Sequence, residues 1–122
     1  MTSSGILERI VYQAGESVFQ EGDVGNRAYV VQEGLIEILR ESADGAEVVL
    51  GSIEKGGIFG EMALIDDQPR MATAKAAAMT TVIVINREMF RKKLAKSDPF
   101  VRGLLGIFVK NIRNMVNDRI NN

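Results

Sequence analysis

Residues 59–73, FGEMALIDDQPRMAT, govern how the rest of the chain reads. Gly60 lets backbone approach a ligand closely, the Glu61 carboxylate accepts hydrogen bonds from hydroxyls, and Arg70 offers a planar fork of donors matched to a phosphate. Together they suit a phosphorylated sugar. Residues 61–65 are good helix formers placed directly after Gly60, so the first N–H groups of that turn, near Met62 and Ala63, are free to face an anion. Asp66, Asp67, Gln68 and Pro69 then break the turn, and Arg70 follows on an extended segment that continues through Met71 and Ala72. Glu61 and Arg70 have a plainer reading too. Nine residues apart, they could form a surface salt bridge worth about 0–1 kcal/mol.

Outward from this stretch the pattern is one of short strands. Toward the N-terminus, residues 47–53 follow the hairpin signal Asp44-Gly45, residues 35–39 pair with 28–32 across Glu33-Gly34, and residues 17–20 stop at Glu21-Gly22-Asp23. In 35–39, Ile36 and Ile38 are expected on one face and Leu35, Glu37 and Leu39 on the other. Ile6, Leu7, Ile10 and Val11 fit either a helical turn or the approach to a first strand. Toward the C-terminus, residues 72–79 and 81–85 read as two more strands, the second rich in β-branched side chains. Ten of the twelve glycines lie at or before position 60, which spaces the strands with turns. The fold expected is mainly β with C-terminal helices: an antiparallel β-sandwich or jelly-roll barrel over about residues 6–86.

From Asn86 the period changes. Asn86 can cap a helix over 87–96, and Pro99 suits the first turn of a second one, where its missing N–H costs nothing. Val101, Leu104, Leu105, Phe108, Ile112, Met115, Val116 and Ile120 then recur at helical spacing. Gly103 and Gly106 interrupt this helix at about 1 kcal/mol each relative to alanine. They imply either close packing against a neighbour or a bend.

Composition bounds the function. The chain has 122 residues, one domain's worth, with ordinary hydrophobic (46%) and charged (25%) fractions. With no histidine and no cysteine it lacks the groups for a thiolate nucleophile, a Ser-His-Asp triad or an ordinary zinc site, so binding without a metal is expected in place of catalysis. The net charge of −1 gives no electrostatic reason to expect nucleic acid. That charge is unevenly placed, with 6 basic and 13 acidic side chains in residues 1–86 and 9 basic and 3 acidic in 87–122. The basic segment reads as solvated helix faces, or as a surface for an acidic partner or for the domain's own acidic barrel. No apolar run approaches the roughly 20 residues that cross a bilayer, and the N-terminus has no basic segment followed by an apolar one; a cytoplasmic chain without membrane association is expected.

The run FGEMALIDDQPRMATAKA closely resembles the phosphate-binding cassette of the cyclic-nucleotide-binding domain family, the module shared by the catabolite activator protein, the regulatory subunits of cAMP-dependent protein kinase and cyclic-nucleotide-gated channels. The resemblance extends through YQAGESVFQEGDVGNRAYVVQEGLIEIL and into the C-terminal helices. It implies that the cyclic phosphate is held by Arg70 and by backbone N–H groups near Gly60, Met62, Ala63, Met71 and Ala72, with Glu61 accepting from the ribose 2′-hydroxyl. Charge-assisted hydrogen bonds of about 1.5–3 kcal/mol each supply part of the roughly 8 kcal/mol of micromolar binding, and the base supplies the rest. Val49, Ala63 and Leu64 are the expected wall for the base, and Phe108, Lys110, Ile112 and Arg113 the candidates to cap it from an α-helical lid. Arg27 could support the site from behind.

Met71 stands where the family usually has a small or hydroxylated residue, which favours cAMP over cGMP. The implied role is a sensor whose C-terminal helices rearrange on binding and signal to a protein effector, as a monomer or homodimer. The other readings are an interaction module of the same fold that binds no nucleotide, and a regulatory fragment of a larger channel or transcription factor.

Overall fold

The computed structural model describes residues 8–121. Eight strands and three helices follow one another as β1 (Arg9–Tyr12), β2 (Ser17–Phe19), β3 (Arg27–Glu33), β4 (Ile36–Glu41), β5 (Glu47–Ile53), β6 (Ile58–Phe59), α1 (Met62–Asp66), β7 (Thr73–Ala76), β8 (Thr80–Asn86), α2 (Arg87–Ala95) and α3 (Pro99–Asn121). The strands form two four-stranded antiparallel sheets, in the orders β1-β8-β3-β6 and β2-β7-β4-β5. This is the β-sandwich with helical C-terminus that the strand pattern predicts. Ile10 and Val11 belong to a strand, β1; Ile6 and Leu7 lie outside the described residues.

Alternation builds the core. Val82 and Val84 of β8 and Tyr29 and Val31 of β3 point inward from one sheet to meet Ile36 of β4 and Ala74 and Ala76 of β7 from the other. Phe59 completes the cluster, its ring stacked 5.1 Å from that of Tyr29. The two inward alanines of β7 leave room for these aromatic rings. At the β3–β4 turn Gly34 has φ 103°, and a Cβ there would stand 2.4 Å from the buried Thr80 hydroxyl, which accepts from the Leu35 N–H at 3.1 Å. Only glycine fits that turn.

One local expectation changes and one holds with an irregularity beside it. In β4, Ile36 and Ile38 face the core cluster and Leu39, though buried, lies outside it, as the alternation predicts; opposite, Ile38 pairs with Gly51 but Leu39 with Val49, and the extra residue, Leu50, makes a bulge in β5. The single strand expected over 72–79 ends at Ala76, because the chain must turn at 77–79 to pass from one sheet to the other.

The helices follow their caps. Asn86 Oδ1 accepts from the Met89 N–H at 2.7 Å and starts α2, while Pro99 opens α3. α3 packs on α1, which brings it back over the cassette. Its buried or half-buried positions are Arg102, Leu105, Val109, Arg113, Val116 and Ile120, so of the apolar residues expected at helical spacing Leu105, Val116 and Ile120 turn inward and Phe108 does not. Phe100, Val101, Leu104, Ile107, Phe108, Ile112 and Met115 are exposed. A Cβ added at Gly103 or Gly106 would meet nothing within 4 Å, so close packing does not explain these glycines.

Candidate functional site

The site forms where the strand edge of β6 turns into α1. Gly60 has φ 81°, and a Cβ on it would sit 2.9 Å from Arg70 Nη1 and 3.2 Å from the Phe19 ring. The close approach read from the sequence is therefore between Gly60 and the site's own arginine. Glu61 is the N-cap residue of α1 but makes no side-chain cap bond, which leaves its carboxylate free for another donor. Burial pushes its pKa above the ordinary glutamate range, opposed by its own backbone N–H and by the charge of Arg70. The N–H groups of Met62 and Ala63, in the first turn of α1, have no intrahelical acceptor.

Arg70 is 6% exposed, yet it makes no ion pair among the described residues. Its Nη1 donates to the Gly60 carbonyl and its Nη2 to the Arg27 carbonyl, both at 2.7 Å. Its Nε is buried with no partner. The Phe19 ring covers the guanidinium at 4.0 Å, and the Gly25 backbone lies so near that a Cβ there would stand 2.2 Å from Nε. The backbone of Arg70 is fixed as well, its N–H donating to Asp23 O at 2.8 Å and its carbonyl accepting from the Gly22 N–H at 2.9 Å. Burial pulls its pKa below the ordinary arginine value, although an arginine stays protonated at neutral pH. A charge held this way, oriented by neutral carbonyls and with no carboxylate on it, has the chemistry to receive an anion. The salt bridge between Glu61 and Arg70 does not form.

Beside this charge is a cavity of about 190 Å³. Gly60, Glu61, Met62, Ala63, Arg70, Met71 and Ala72 all line it, so the structure brings these seven predicted residues together. Phe19, Ile38, Ile53, Ile58 and Phe59 give the cavity an apolar lining beside them. Of the proposed lid residues only Arg113 reaches it. A second cavity of about 200 Å³ shares Arg70, Met71 and Arg113 and continues toward Arg40 and Asn117. Together the two fall within the range of roughly 300–1,000 Å³ usual for small-molecule sites. A wider depression of about 610 Å³ lies between β2 and the β4–β5 turn, but Glu21, Glu41 and Glu47 outnumber Arg40 in its lining, and Arg40 is already paired with Glu21.

Five predicted residues lie elsewhere. Leu64 is 2% exposed because it points from α1 into the protein interior, and Val49 stands on the exposed face of β5 beside the bulge. Phe108 and Lys110 face solvent because α3 turns Val109 and Arg113 inward instead. Ile112 is exposed as well. Arg27 does support the site from behind, through its carbonyl and not its side chain. Phe19, Ile38 and Ile53 were not expected. Phase is the signal for Ile38, two residues along β4 from the inward Ile36, and register the signal for Ile53, which pairs with Ile36 across the strands; no local signal marks Phe19.

An oriented, unpaired arginine and a carboxylate lining one cavity of a jelly-roll sandwich suit a small anionic, hydroxylated ligand. The chain belongs to the cyclic nucleotide-binding domain family, which residues 9–97 match. It is 37% identical over 87 residues to an uncharacterized ABC transporter ATP-binding protein of Mycobacterium tuberculosis, covering 71% of this chain and 26% of that protein. To the cAMP-dependent protein kinase regulatory subunit of Blastocladiella emersonii it is 33% identical over 88 residues, covering 72% and 22%. Among solved structures, the EAL enzyme Bd1971 in its cAMP bound form matches with a TM-score of 0.86 at 28% identity, covering 92% of this chain and 30% of that one. The catabolite activator protein of Thermus thermophilus matches with a TM-score of 0.74 at 27% identity, covering 92% and 53%. The chain spans roughly a quarter of the length of the curated relatives named.

Proposed function

We propose that this domain is a cAMP sensor in which Arg70 and the first N–H groups of α1 hold the cyclic phosphate, Glu61 accepts from the ribose 2′-hydroxyl, and the base lies along the apolar wall of Ile38, Ile53 and Ile58. The observation that carries this reading is the buried Arg70 guanidinium, held by two carbonyls, with its Nε unpartnered. A singly charged cyclic phosphate in the adjoining cavity supplies the compensating charge that no carboxylate provides. Met71 lines the cavity without a hydroxyl to offer a guanine, which favours cAMP over cGMP. Structures of Bd1971 with each nucleotide are both similar to this chain.

The role is regulatory and non-catalytic, in the cytoplasm, with a protein effector reading the position of the C-terminal helices. The exposed apolar side chains of α3, among them Leu104, Phe108 and Met115, offer that effector or a second copy a contact surface. Thermal unfolding of nucleotide-free protein tests the reading. cAMP is expected to raise the midpoint more than cGMP at equal concentration, and 5′-AMP, with its extra charge and open phosphate, to raise it least. Equal midpoints with all three would remove the sensor assignment.

A further inference from the structure

Asp67 is the one non-glycine residue with positive φ among those described (φ 56°, ψ 22°), and it closes the C-terminus of α1. Aspartate tolerates this left-handed conformation better than most residues. The turn sends two neighbouring carboxylates to different helices. Asp66 accepts from Arg113 of α3, at 2.5 Å from Nε and 3.0 Å from Nη2, and Arg113 Nη1 also donates to the Pro69 carbonyl at 3.1 Å. Asp67 accepts from Arg91 of α2 at 2.7 Å and from Arg87. Arg87 Nη2 in turn donates to the Gly25 carbonyl at 2.7 Å, and Gly25 lies against Arg70. Each helix therefore has its own charged attachment to the cassette, and each attachment reaches the cavity: Arg113 lines it, and Arg87 leads through Gly25 to Arg70.

We propose that Asp66 and Asp67 are positioning residues that form a two-way junction, Asp66 fastening α3 and Asp67 fastening α2, so that cavity occupancy and the position of each helix are coupled through separate contacts. The ligand half of this proposal rests on the cyclic-nucleotide reading above. An anion drawn to Arg70 and the start of α1 shifts α1 and the Asp66-Asp67 turn at its end together, and the turn carries both helices. By reciprocity, releasing a helix changes ligand affinity by the factor with which the ligand moves that helix.

The chain has no cysteine, so introduced pairs can be spin-labelled selectively. Ala43→Cys with Asn114→Cys reports α3 against the sheet, and Ala43→Cys with Lys93→Cys reports α2; all three positions are exposed. In the ligand-free protein Asp66→Asn is expected to broaden only the α3 distance and Asp67→Asn only the α2 distance, and Asp66→Arg combined with Arg113→Asp to restore α3. With cAMP added, Asp66→Asn is expected to weaken binding several-fold, at the low end of the ~5–150-fold typical of such coupling, and to abolish the nucleotide-dependent shift of α3 alone. Distances unchanged in both variants, or both helices loosened by either one, would overturn the junction. Wild-type protein that fails to bind cAMP would instead overturn the functional reading, and the ligand-free distances would still decide whether the two attachments are separate.

Discussion

At the scale of single residues, Glu61 and Arg70 divide the work by charge and burial. Glu61 has a raised pKa in the free domain because burial penalises its charge. The contribution of this group to stability is therefore largest at low pH and is lost as pH rises from its unfolded value, about 4.3, through the folded one. A ribose hydroxyl donating to the carboxylate would favour the ionised form, so binding is expected to expel the proton wherever Glu61 still holds it. Nucleotide affinity is expected to rise with pH through the Glu61 titration and then level off, and Glu61→Gln to flatten the profile while weakening binding. Calorimetry in two buffers of different ionisation enthalpy reads the released proton; release that is unchanged in Glu61→Gln would exclude this carboxylate. The pairing of Gly60, Glu61 and Arg70 was legible in the sequence because all three sit in one short motif. Phe19 and Gly25 were not, since they reach Arg70 only across the fold.

At the scale of elements, alternation and capping were legible wherever a strand or helix obeys one period throughout. β8 and the start of α2 are such cases, one alternating from end to end and the other opened by Asn86. The exceptions have physical causes. The bulge at Leu50 shifts the register of β5 against β4 between Ile38 and Leu39, which no local pattern announces. On α3 the apolar residues outnumber the places where the sandwich can receive them, so sequence alone could not fix the inward face; the Arg113–Asp66 pair does, and it leaves Phe108 and Lys110 outside. Gly103 and Gly106 stand on the continuous helix α3 with open space around them. Alanine at both positions is expected to raise the unfolding free energy, by up to about 1 kcal/mol per site. Urea denaturation checks this, and a loss of stability would mean that the helix needs a bend there.

At the scale of the molecule, the charge asymmetry of the sequence turns inward. Arg87, Arg91 and Arg113 of the basic C-terminal segment bond the cassette carboxylates Asp67 and Asp66, so part of that charge serves the domain's own acidic half. The sandwich supplies the fixed wall, the cassette presents Arg70 and Glu61, and the helices close on the same few residues. Everything in this arrangement depends on Arg70 being a receptor for a phosphate and not a buried structural cation. The direct test is calorimetric titration of nucleotide-stripped protein with cAMP, alongside Arg70→Lys and Arg70→Leu, with thermal unfolding to show that each variant is folded. The account predicts one saturable site in the wild type, weakened about 100-fold or more in Arg70→Leu and less in Arg70→Lys, which keeps the charge but not the fork. Binding of equal strength in folded Arg70→Leu, or no binding in the wild type, would contradict it.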